Sequence, residues 1–272
     1  MDKRKEFLEE KAKQIRRLTM YEFACIGLGH VGGSLSIADV LAVLYFDAMY
    51  VDPKNPQDES RDRFVLSKGH AGPALYATLA EKGFFDISQL RNLNQPGTNL
   101  PSHCDMLLTP GVDMTAGSLG QGISCAVGIA KAAKVFNQDH NVYCIVGDGE
   151  SQEGQVWEAA MIASHWSLDN LIVFLDYNGM QIDGTVEEIN SVGDPLNRWA
   201  SFGFLTQNVD GHDVCAISDA IAIAKQQKGA PKMIVLNTVK GRGVSYVEDA
   251  GVSNHNMPIT AEQLKVALQE LT

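Results

Sequence analysis

The sequence has no cysteine pair at the spacing of zinc ligands, no excess of basic residues and no apolar signal segment at its N-terminus. The formal net charge of −11 argues against a surface for nucleic acids or anionic membranes. We expect no apolar run long enough to span a bilayer. The cysteines are odd in number and widely spaced, which favours reduced thiols: Cys25, Cys104, Cys125, Cys144 and Cys215. These absences predict a cytoplasmic protein that binds neither nucleic acids nor membranes.

The composition that is present suits an α/β protein with a full core. The chain has 272 residues, of which 45% are hydrophobic and 20% charged, and this is enough for one large domain. The sequence shows no internal repeat, low-complexity tract or linker. We therefore expect a single domain over residues 1–272.

The most informative stretch is 142–184. Two apolar, β-branched runs at 142–146 and 171–175 bracket a helical pattern, which predicts a strand, a crossover helix and a second strand. The helical pattern places four residues on one face: Trp157, Ala160, Met161 and Ser164. Gly147-Asp148-Gly149-Glu150 follows the first strand and Asp176-Tyr177-Asn178-Gly179 follows the second. Parallel neighbours would bring both polar ends to the edge where open α/β sheets bind ligands.

These strand ends carry the groups that a metal-bound diphosphate needs. Asp148 supplies a charged oxygen and Asn178 a neutral one, and Mg²⁺ is commonly held by one or two carboxylates together with substrate phosphates. Backbone N–H groups near the start of the helix that follows Glu150 would bind the remaining negative charge of the diphosphate. Either motif alone could be a plain turn; their placement on successive strand ends favours a ligand site.

The rest of the chain predicts further elements around this unit. An amphipathic helix spans 5–23 and includes Phe7 and Leu8 on its apolar face. Segment 27–34 is too rich in glycine for a helix or strand, and Ser34 or Ser36 would cap the helix expected from 35 to 50. Further helices are expected at 123–135, 217–227 and 261–271, strands at 61–67, 205–209 and 233–239, and polar loops at 92–113 and 247–257.

Four of the seven histidines lie in loops where a strand or loop meets a helix: His30, His70, His103 and His255. Imidazole exchanges protons near neutral pH, so several histidines around one cleft suit chemistry that moves protons among hydroxyls and carbon. Glycines beside His30 and His70 leave room for a ligand.

The ordered series of motifs resembles the transketolase family. Gly147-Asp148-Gly149, followed 28 residues later by Asn178, is similar to the thiamine diphosphate motif of that family. Similar segments in the family's order lie at 29–34, 66–70, 102–103, 116–122, 182–184 and 254–256. The resemblance implies a thiamine-diphosphate-binding α/β fold, with a central, mostly parallel sheet and helices on both faces. It also implies thiamine diphosphate and Mg²⁺ as cofactors, with Ca²⁺ and Mn²⁺ as alternative metals.

The resemblance assigns roles to individual residues. The side chains of Asp148 and Asn178 and the carbonyl of Met180 would bind the metal. Contacts to the cofactor would come from His70, Gly117, Leu119, Asp148, Gly149, Glu153, Asn178 and His255. Glu153 matches the family's buried glutamate, which links paired active sites.

The four histidines would surround the sugar in the family's arrangement. His30 or His255 would take the proton of the donor's C3 hydroxyl, while His70 and His103 would hydrogen-bond the two-carbon fragment. The sequence departs from the family in two places: no proline follows His30, and His103 lies in Ser-His-Cys-Asp where Gly-His-Pro-Glu is more common.

The family's usual chain is more than twice this long, and its second domain carries the glutamate that activates the cofactor's pyrimidine ring. The resemblance therefore implies the diphosphate-binding half of a split transketolase. Its partner would be a separate chain with the pyrimidine-binding domain, two chains of each kind would form the enzyme, and sugar phosphates would be the substrates.

Several alternatives share parts of this pattern. A deoxyxylulose-phosphate synthase or the α subunit of a 2-oxoacid dehydrogenase would have the same cofactor motif. A non-catalytic protein that binds thiamine diphosphate or a partner would need no histidine chemistry. A magnesium-dependent phosphohydrolase would use Asp148 together with Asp176. The sequence leaves the identity of the sugar open.

Overall fold

The computed structural model describes residues 3–272; Met1 and Asp2 of the expected domain lie outside the described residues. Within that range the chain forms these strands: β1 Leu28–Gly29, β2 Arg63–Leu66, β3 Val142–Gly147, β4 Leu171–Tyr177, β5 Leu205–Asp210, β6 Lys232–Asn237 and β7 Met257–Pro258. The α-helices are α1 Lys3–Ile26, α2 Val31–Leu35, α3 Ala38–Val43, α4 Gly72–Lys82, α5 Gln121–Val135, α6 Gly154–His165, α7 Val186–Asn190, α8 Pro195–Ser201, α9 Val214–Gln226, α10 Ser245–Asp249 and α11 Ala261–Glu270.

The centre of the molecule is a five-stranded sheet in the order β2-β3-β4-β6-β5. All four of its pairings are parallel, and Gly147 at the end of β3 lies opposite Asp176 in β4. The two central strands are buried almost throughout, as expected for a parallel sheet whose faces are both covered. The predicted fold class is confirmed.

Helices cover the sheet on both faces because side chains alternate along each strand. Tyr143 and Ile145 of β3 belong to one core cluster, which includes residues of α1, α3, α4 and α9. Cys144 and Val146 belong to the other, with α5, α6 and Trp199 of α8. Alternate side chains of this one strand therefore pack in two separate core clusters.

Two predicted helix faces are wrong in detail. In α6 the buried residues are Val156, Ala159, Ala160 and Ala163, whereas Met161 is 55% exposed. The predicted face was rotated by about one residue: Ala160 is common to both faces, while Trp157 and Ser164 are only partly buried. In α1 Leu8 is buried but Phe7 is 48% exposed, and its ring packs edge-on against Phe46.

The glycine-rich segment 27–34 contains a short strand and most of a short helix, contrary to the prediction of a loop. β1 pairs antiparallel with β7, and α2 begins directly after His30. Neither serine is the N-cap of the following helix, whose N-cap is Ile37: the Ser34 hydroxyl donates to the carbonyl of His30, and the Ser36 hydroxyl donates to Asp176. The expected loop at 247–257 also contains the end of α10 and a 3₁₀ turn at Gly251–His255.

The segment Val31–Ala48 corrects the expectation about apolar runs. Its 18 residues have a mean hydropathy of 1.4, so by length and composition alone it could cross a membrane. In the fold, 83% of the segment is buried, and it forms α2, α3 and one π-helical turn at Leu44–Ala48. It is a core segment of the domain.

Candidate active site

A cleft of about 350 Å³ opens at the carboxyl edge of the sheet, where the ends of β2, β3, β4 and β6 converge. Every residue predicted for the site lines this cleft: His30, His70, His103, Gly117, Leu119, Asp148, Gly149, Glu153, Asn178, Met180 and His255. Their separation along the chain reaches more than 200 residues, and the parallel sheet brings them together.

Asp148 is buried, with 2% of its surface exposed, and among residues 3–272 its carboxylate accepts hydrogen bonds only from backbone groups. The N–H of Gly149 donates to Oδ1 at 2.8 Å and the N–H of Gly179 donates to Oδ2 at 2.6 Å. Burial, followed by the neighbouring charge of Asp176, raises the pKa of Asp148 to about 6. A cation bound here would offset the cost of keeping this carboxylate ionised.

Asn178 and Met180 supply the neutral oxygens beside Asp148. The Asn178 amide donates to Asp176 at 3.0 Å, which orients its oxygen away from that carboxylate, and Oδ1 accepts from the N–H of Met180 at 3.1 Å. Among residues 3–272, no group of three or more His, Cys, Asp or Glu side chains could hold a metal. One carboxylate with an amide and a carbonyl oxygen therefore fits a hard cation whose remaining ligands come from a bound anion.

Asp176 lies next to Asp148 but has a different role. It is fully buried and accepts hydrogen bonds from Lys68 Nζ at 2.6 Å, Ser36 Oγ at 2.8 Å and the hydroxyl of Thr238. Burial alone would raise the pKa of Asp176, but Lys68 and the hydroxyl donors outweigh burial and lower it. These bonds occupy both carboxylate oxygens, which disfavours a phosphohydrolase that would use Asp176 in its chemistry.

Glu150 was not predicted as a site residue, although it lines the cleft. It is 3% exposed, and its carboxylate accepts hydrogen bonds from the Ser67 hydroxyl, from Gly120 N at 2.8 Å and from Gly147 N at 2.9 Å. Burial raises the pKa of Glu150. The carboxylate ties the ends of β2 and β3 to the start of α5, so it fixes the floor of the cleft.

The four predicted histidines form one cluster. The ring centroid of His30 lies 5.3 Å from that of His70, 5.8 Å from His103 and 5.3 Å from His255. The short ladder between β1 and β7 accounts for part of this arrangement, because it places His30 directly after one strand and His255 two residues before the other.

All four imidazoles are held in their neutral form. Burial is the largest cause in each case and lowers the pKa of His30, His70 and His103 below the usual value, most strongly for His70. Burial, followed by the charge of Lys240, lowers the pKa of His255 to about 4. Neutral imidazoles can accept a proton or donate a hydrogen bond at pH 7.

Two buried lysines were missed by the sequence analysis. Lys68 Nζ donates to Asp176 and to the carbonyl of Gly33 at 2.7 Å. Lys240 Nζ lies 3.4 Å from the carbonyl oxygen of Met180 and 3.2 Å from Nδ1 of His255, and burial lowers the pKa of Lys240 to about 8. Both lysines follow a strand of the parallel sheet, and that position was the available signal for them.

Glu153 lines the cleft at the start of α6 and is exposed to solvent in this chain. The buried position expected from the resemblance therefore stays a prediction about the assembled protein. His103 contacts its neighbour in sequence, with Nδ1 2.9 Å from the Ser102 hydroxyl. The oxygens of Asp148, Asn178 and Met180, together with the neutral histidines, fit a metal-bound diphosphate beside proton-transfer groups.

Comparisons with known proteins agree with this site. A family model described as the transketolase thiamine diphosphate binding domain matches residues 8–272. The chain is 54% identical over 264 residues to the 6-deoxy-6-sulfo-D-fructose transketolase subunit SqwG of Clostridium sp. (strain MSTE9), covering 97% of this chain and 96% of that one. It is 40% identical over 244 residues to one subunit of the apulose-4-phosphate transketolase of Phocaeicola vulgatus, covering 90% and 86% of the two chains.

Solved structures give the same result. Transketolase from Campylobacter jejuni superposes with a TM-score of 0.90 at 33% identity, covering 98% of this chain and 43% of that one. Transketolase from Leishmania mexicana superposes with a TM-score of 0.89 at 34% identity, covering 96% and 40%. The chain belongs to the transketolase family and corresponds to its thiamine diphosphate binding domain.

Proposed function

We propose that this chain is the diphosphate-binding subunit of a two-chain transketolase, which moves a two-carbon ketol group from a ketose phosphate or related ketose to an aldose phosphate. The observation that carries the proposal is the combination in one cleft of a single-carboxylate metal site and four neutral histidines. Thiamine diphosphate, when bound, supplies the electron sink for breaking the bond between C2 and C3.

The aspartate side of the cleft would hold the cofactor's diphosphate. Asp148, Asn178 and the carbonyl of Met180 would bind Mg²⁺, with Ca²⁺ or Mn²⁺ as substitutes. Lys240 lies against the carbonyl of Met180 and adds a buried positive charge on the same side. A residue larger than Gly149 would require Gln181 to shift, because an added Cβ would lie 3.0 Å from Cβ of Gln181. Gly117 and Leu119 complete the cofactor wall of the cleft.

The histidine side would handle the protons of the sugar. With Lys240 charged, its ammonium group donates to Nδ1 of His255, so the proton of the neutral His255 ring lies on Nε2. His255 is then a hydrogen-bond donor to the sugar, which favours His30 over His255 as acceptor of the C3 hydroxyl proton. His70 and His103 would hydrogen-bond the oxygens of the two-carbon fragment.

The proposed partner carries the pyrimidine-binding domain. Three relatives named as transketolase subunits are covered over 96%, 86% and 95% of their length, so transketolases assembled from chains of this kind exist. We propose two chains of each kind, in which Glu153 becomes buried. A cytoplasmic location is supported by Cys25, Cys104, Cys125 and Cys144, which are free thiols.

The donor sugar is the least constrained part of the proposal. The relative at 54% identity is named for 6-deoxy-6-sulfo-D-fructose, which favours a sulfonated ketose as donor. The Pichia stipitis transketolase, at 34% identity, was solved with fructose 6-phosphate, which supports a phosphorylated one. Both sugars carry the same ketol group and differ only in the anionic end.

The proposal is tested by purifying the tagged chain from its native cells and identifying the proteins that accompany it. The recovered complex is then assayed for ketol transfer with thiamine diphosphate, Mg²⁺ and each donor. Activity that requires a companion chain with a pyrimidine-binding domain supports the proposal. A chain that binds the cofactor but has no companion and no transfer activity would favour the non-catalytic alternative.

A variant separates cofactor binding from proton handling. His255→Ala should lower turnover in the assembled complex by about 10- to 100-fold, because the sugar loses one hydrogen-bond donor or proton carrier. Cofactor affinity should change much less, since Asp148 and Lys240 remain. The matched control is His165→Ala, at the exposed end of α6, which should leave both quantities unchanged. Unchanged turnover in His255→Ala would remove His255 from the catalytic set.

A further inference from the structure

Three polar side chains outside the cleft form a hydrogen-bonded chain that ends on the backbone beside Lys240. Arg16 of α1 donates to both carboxylate oxygens of Asp39 in α3, through Nη1 at 3.1 Å and through Nη2. Oδ2 of Asp39 lies 2.7 Å from Nδ1 of His212, and Nε2 of His212 lies 2.8 Å from the backbone nitrogen of Val239. Lys240 is the next residue in the sequence. Arg16, Asp39 and His212 do not line the cleft, so these contacts reach it through the backbone.

The directions of these hydrogen bonds are fixed. The N–H of Val239 can only donate, so Nε2 of His212 accepts, and the ring proton lies on Nδ1, which donates to Asp39. Burial alone would raise the pKa of Asp39, but Arg16 and His212 outweigh burial and lower it, so the carboxylate is an acceptor. The side chains of Arg16, Asp39 and His212 are 7%, 8% and 10% exposed. The imidazole is therefore held in one orientation, with its acceptor atom toward Val239.

The turn that carries His212 packs tightly on the end of β6. The N–H of Gly211 donates to the carbonyl of Asn237 at 2.9 Å. An added Cβ at Gly211 would lie 2.4 Å from the side chain of Thr238, so glycine allows this close approach. His212 therefore contacts Val239 from a backbone that is itself fixed to the strand.

The peptide at Val239 sets the direction of Lys240. Val239 is 40% exposed whereas Lys240 is 4% exposed, so the two side chains leave the backbone on opposite sides. Nζ of Lys240 lies 3.4 Å from the carbonyl oxygen of Met180 and 3.2 Å from Nδ1 of His255. A rotation of the backbone at Val239 would move Nζ away from both atoms. The hydrogen bond from Val239 to His212 opposes such a rotation.

We propose that His212 is a positioning residue of the transketolase, which fixes the peptide at Val239 and thereby the direction of Lys240. Asp39 and Arg16 hold its ring in the orientation that this requires. The inference rests on the proposed function, in which Lys240 supplies a buried positive charge on the diphosphate side of the cleft. His212 itself would contact neither the cofactor nor the sugar.

Two substitutions of His212 separate the roles of its ring nitrogens. The amide of Asn can occupy the place of Nδ1, so His212→Asn keeps a donor to Asp39 and loses the acceptor for Val239. The longer amide of Gln can occupy the place of Nε2, so His212→Gln keeps that acceptor and loses the donor to Asp39. In the assembled complex, we expect His212→Asn to lower both kcat and the affinity for thiamine diphosphate with Mg²⁺ about three- to tenfold, the effect of one neutral hydrogen bond. His212→Gln should lower each by less than about twofold.

A double-mutant cycle tests whether the effect passes through Lys240. The measured quantity is the affinity for thiamine diphosphate with Mg²⁺ by titration calorimetry, which does not depend on turnover. In the Lys240→Ala complex, adding His212→Asn should change this affinity by less than about 1.5-fold, because the effects of coupled residues do not add. The control is Arg61→Gln, which breaks a partly buried ion pair with Asp113 just before β2, at the opposite edge of the sheet. It should lower the midpoint of chemical denaturation and leave kcat and the affinity unchanged.

The possible outcomes separate the inference from the proposed function. Wild-type kcat and affinity in folded His212→Asn overturn the inference, and so does a larger loss in His212→Gln than in His212→Asn, because the ring would then act through Asp39. Losses that add in the cycle also overturn it, because the effect would not pass through Lys240. If His212→Asn does not fold, His212→Ser, which loses both contacts, takes its place and should be less active than His212→Gln. Ketol transfer by the wild-type complex keeps the proposed function in all these cases, whereas its absence with every donor overturns the proposed function and the inference together.

Discussion

The ends of β3 and β4 place two aspartates side by side, yet the surroundings of the two carboxylates shift their pKa values in opposite directions. Asp148 and Asp176 are 2% and 0% exposed, and the strands that carry them pair directly in the sheet. Among the described residues, the Asp148 carboxylate accepts hydrogen bonds only from backbone N–H groups, and its pKa is raised to about 6. The Asp176 carboxylate accepts hydrogen bonds from Lys68 and from two hydroxyls, and its pKa is lowered.

The difference shows that one buried carboxylate can form a structural ion pair while its neighbour stays available to a ligand. The Lys68–Asp176 pair is complete within the chain, so it ties β2 to β4 without needing a ligand. Asp148 has no cationic hydrogen-bonding partner among the described residues, so its ionised form is costly until a cation arrives. Substitutions of these carboxylates and their neighbours test this contrast, in decreasing order of the effect we expect.

Breaking the complete pair should have the largest effect. Asp176→Ala leaves the charge of Lys68 buried without its partner, and we expect the free energy of unfolding to fall by about 3–5 kcal/mol. Chemical denaturation of the full chain measures this. Asp169→Ala removes a partly exposed partner of Lys134 and should cost less than about 1 kcal/mol. Equal losses in the two variants would contradict the contrast between buried and surface pairs.

The stability of the cofactor-free chain should depend on pH through Asp148. Its folded pKa of about 6 lies above the ordinary value of 3.8, so the folded state binds the extra proton and stability falls as pH rises between these values. The total is about 3 kcal/mol at 1.36 kcal/mol per pKa unit. Asp148→Asn should abolish this part of the slope in denaturation curves measured with a chelator between pH 4 and pH 7. A slope identical to that of the wild type would refute the assignment.

The same Asp148→Asn change should also weaken the binding of thiamine diphosphate and Mg²⁺. Asp148 is the one carboxylate among the proposed metal ligands, so its loss should lower the affinity for thiamine diphosphate with Mg²⁺ by at least about 100-fold, because losing a direct ligand should cost no less than losing an outer-shell partner. Titration calorimetry on the assembled complex measures the affinity. Asp139→Asn, an exposed change before β3, is the control and should bind like the wild type. Retained affinity in Asp148→Asn would place the metal elsewhere.

The smallest effect should come from Glu150→Gln. One carboxylate oxygen becomes an N–H donor that faces other donors, so we expect a loss of about 1–2 kcal/mol in the free energy of unfolding. Exposed Glu187→Gln on α7 is the matched control and should change little. An unchanged free energy of unfolding in Glu150→Gln would mean that the floor of the cleft tolerates rearrangement.

The sequence predicted most of the fold and the members of the site. Strand positions followed from apolar runs, and the convergence of Asp148 and Asn178 followed from the rule that parallel strands end at one edge. The grouping of the histidines came from the ordered resemblance, since nothing local to His30 or His255 indicates that they meet. The buried face of α6 did not follow from its large side chains: the helix buries Val156 and three alanines in the core cluster that also includes residues of α5, while Met161 is 55% exposed.

The short ladder between β1 and β7 could not be predicted. Two strands of two residues each have no periodic signal, and their pairing depends on where α1 and the end of the chain pack. Lys68 and Lys240 were also missed, since a lysine after a strand is usually exposed and only the fold shows that these two are 2% and 4% exposed.

The sequence alone was enough for the α/β class, the strand ends that carry Asp148 and Asn178, and eleven of the residues that line the cleft. Local periodicity and strand-end chemistry are properties of short segments, so they can be read along the chain. The folded structure was needed to establish which aspartate pairs with Lys68 and which lysines enter the cleft. These properties depend on burial and on charges brought from distant segments, and neither exists before the chain has folded.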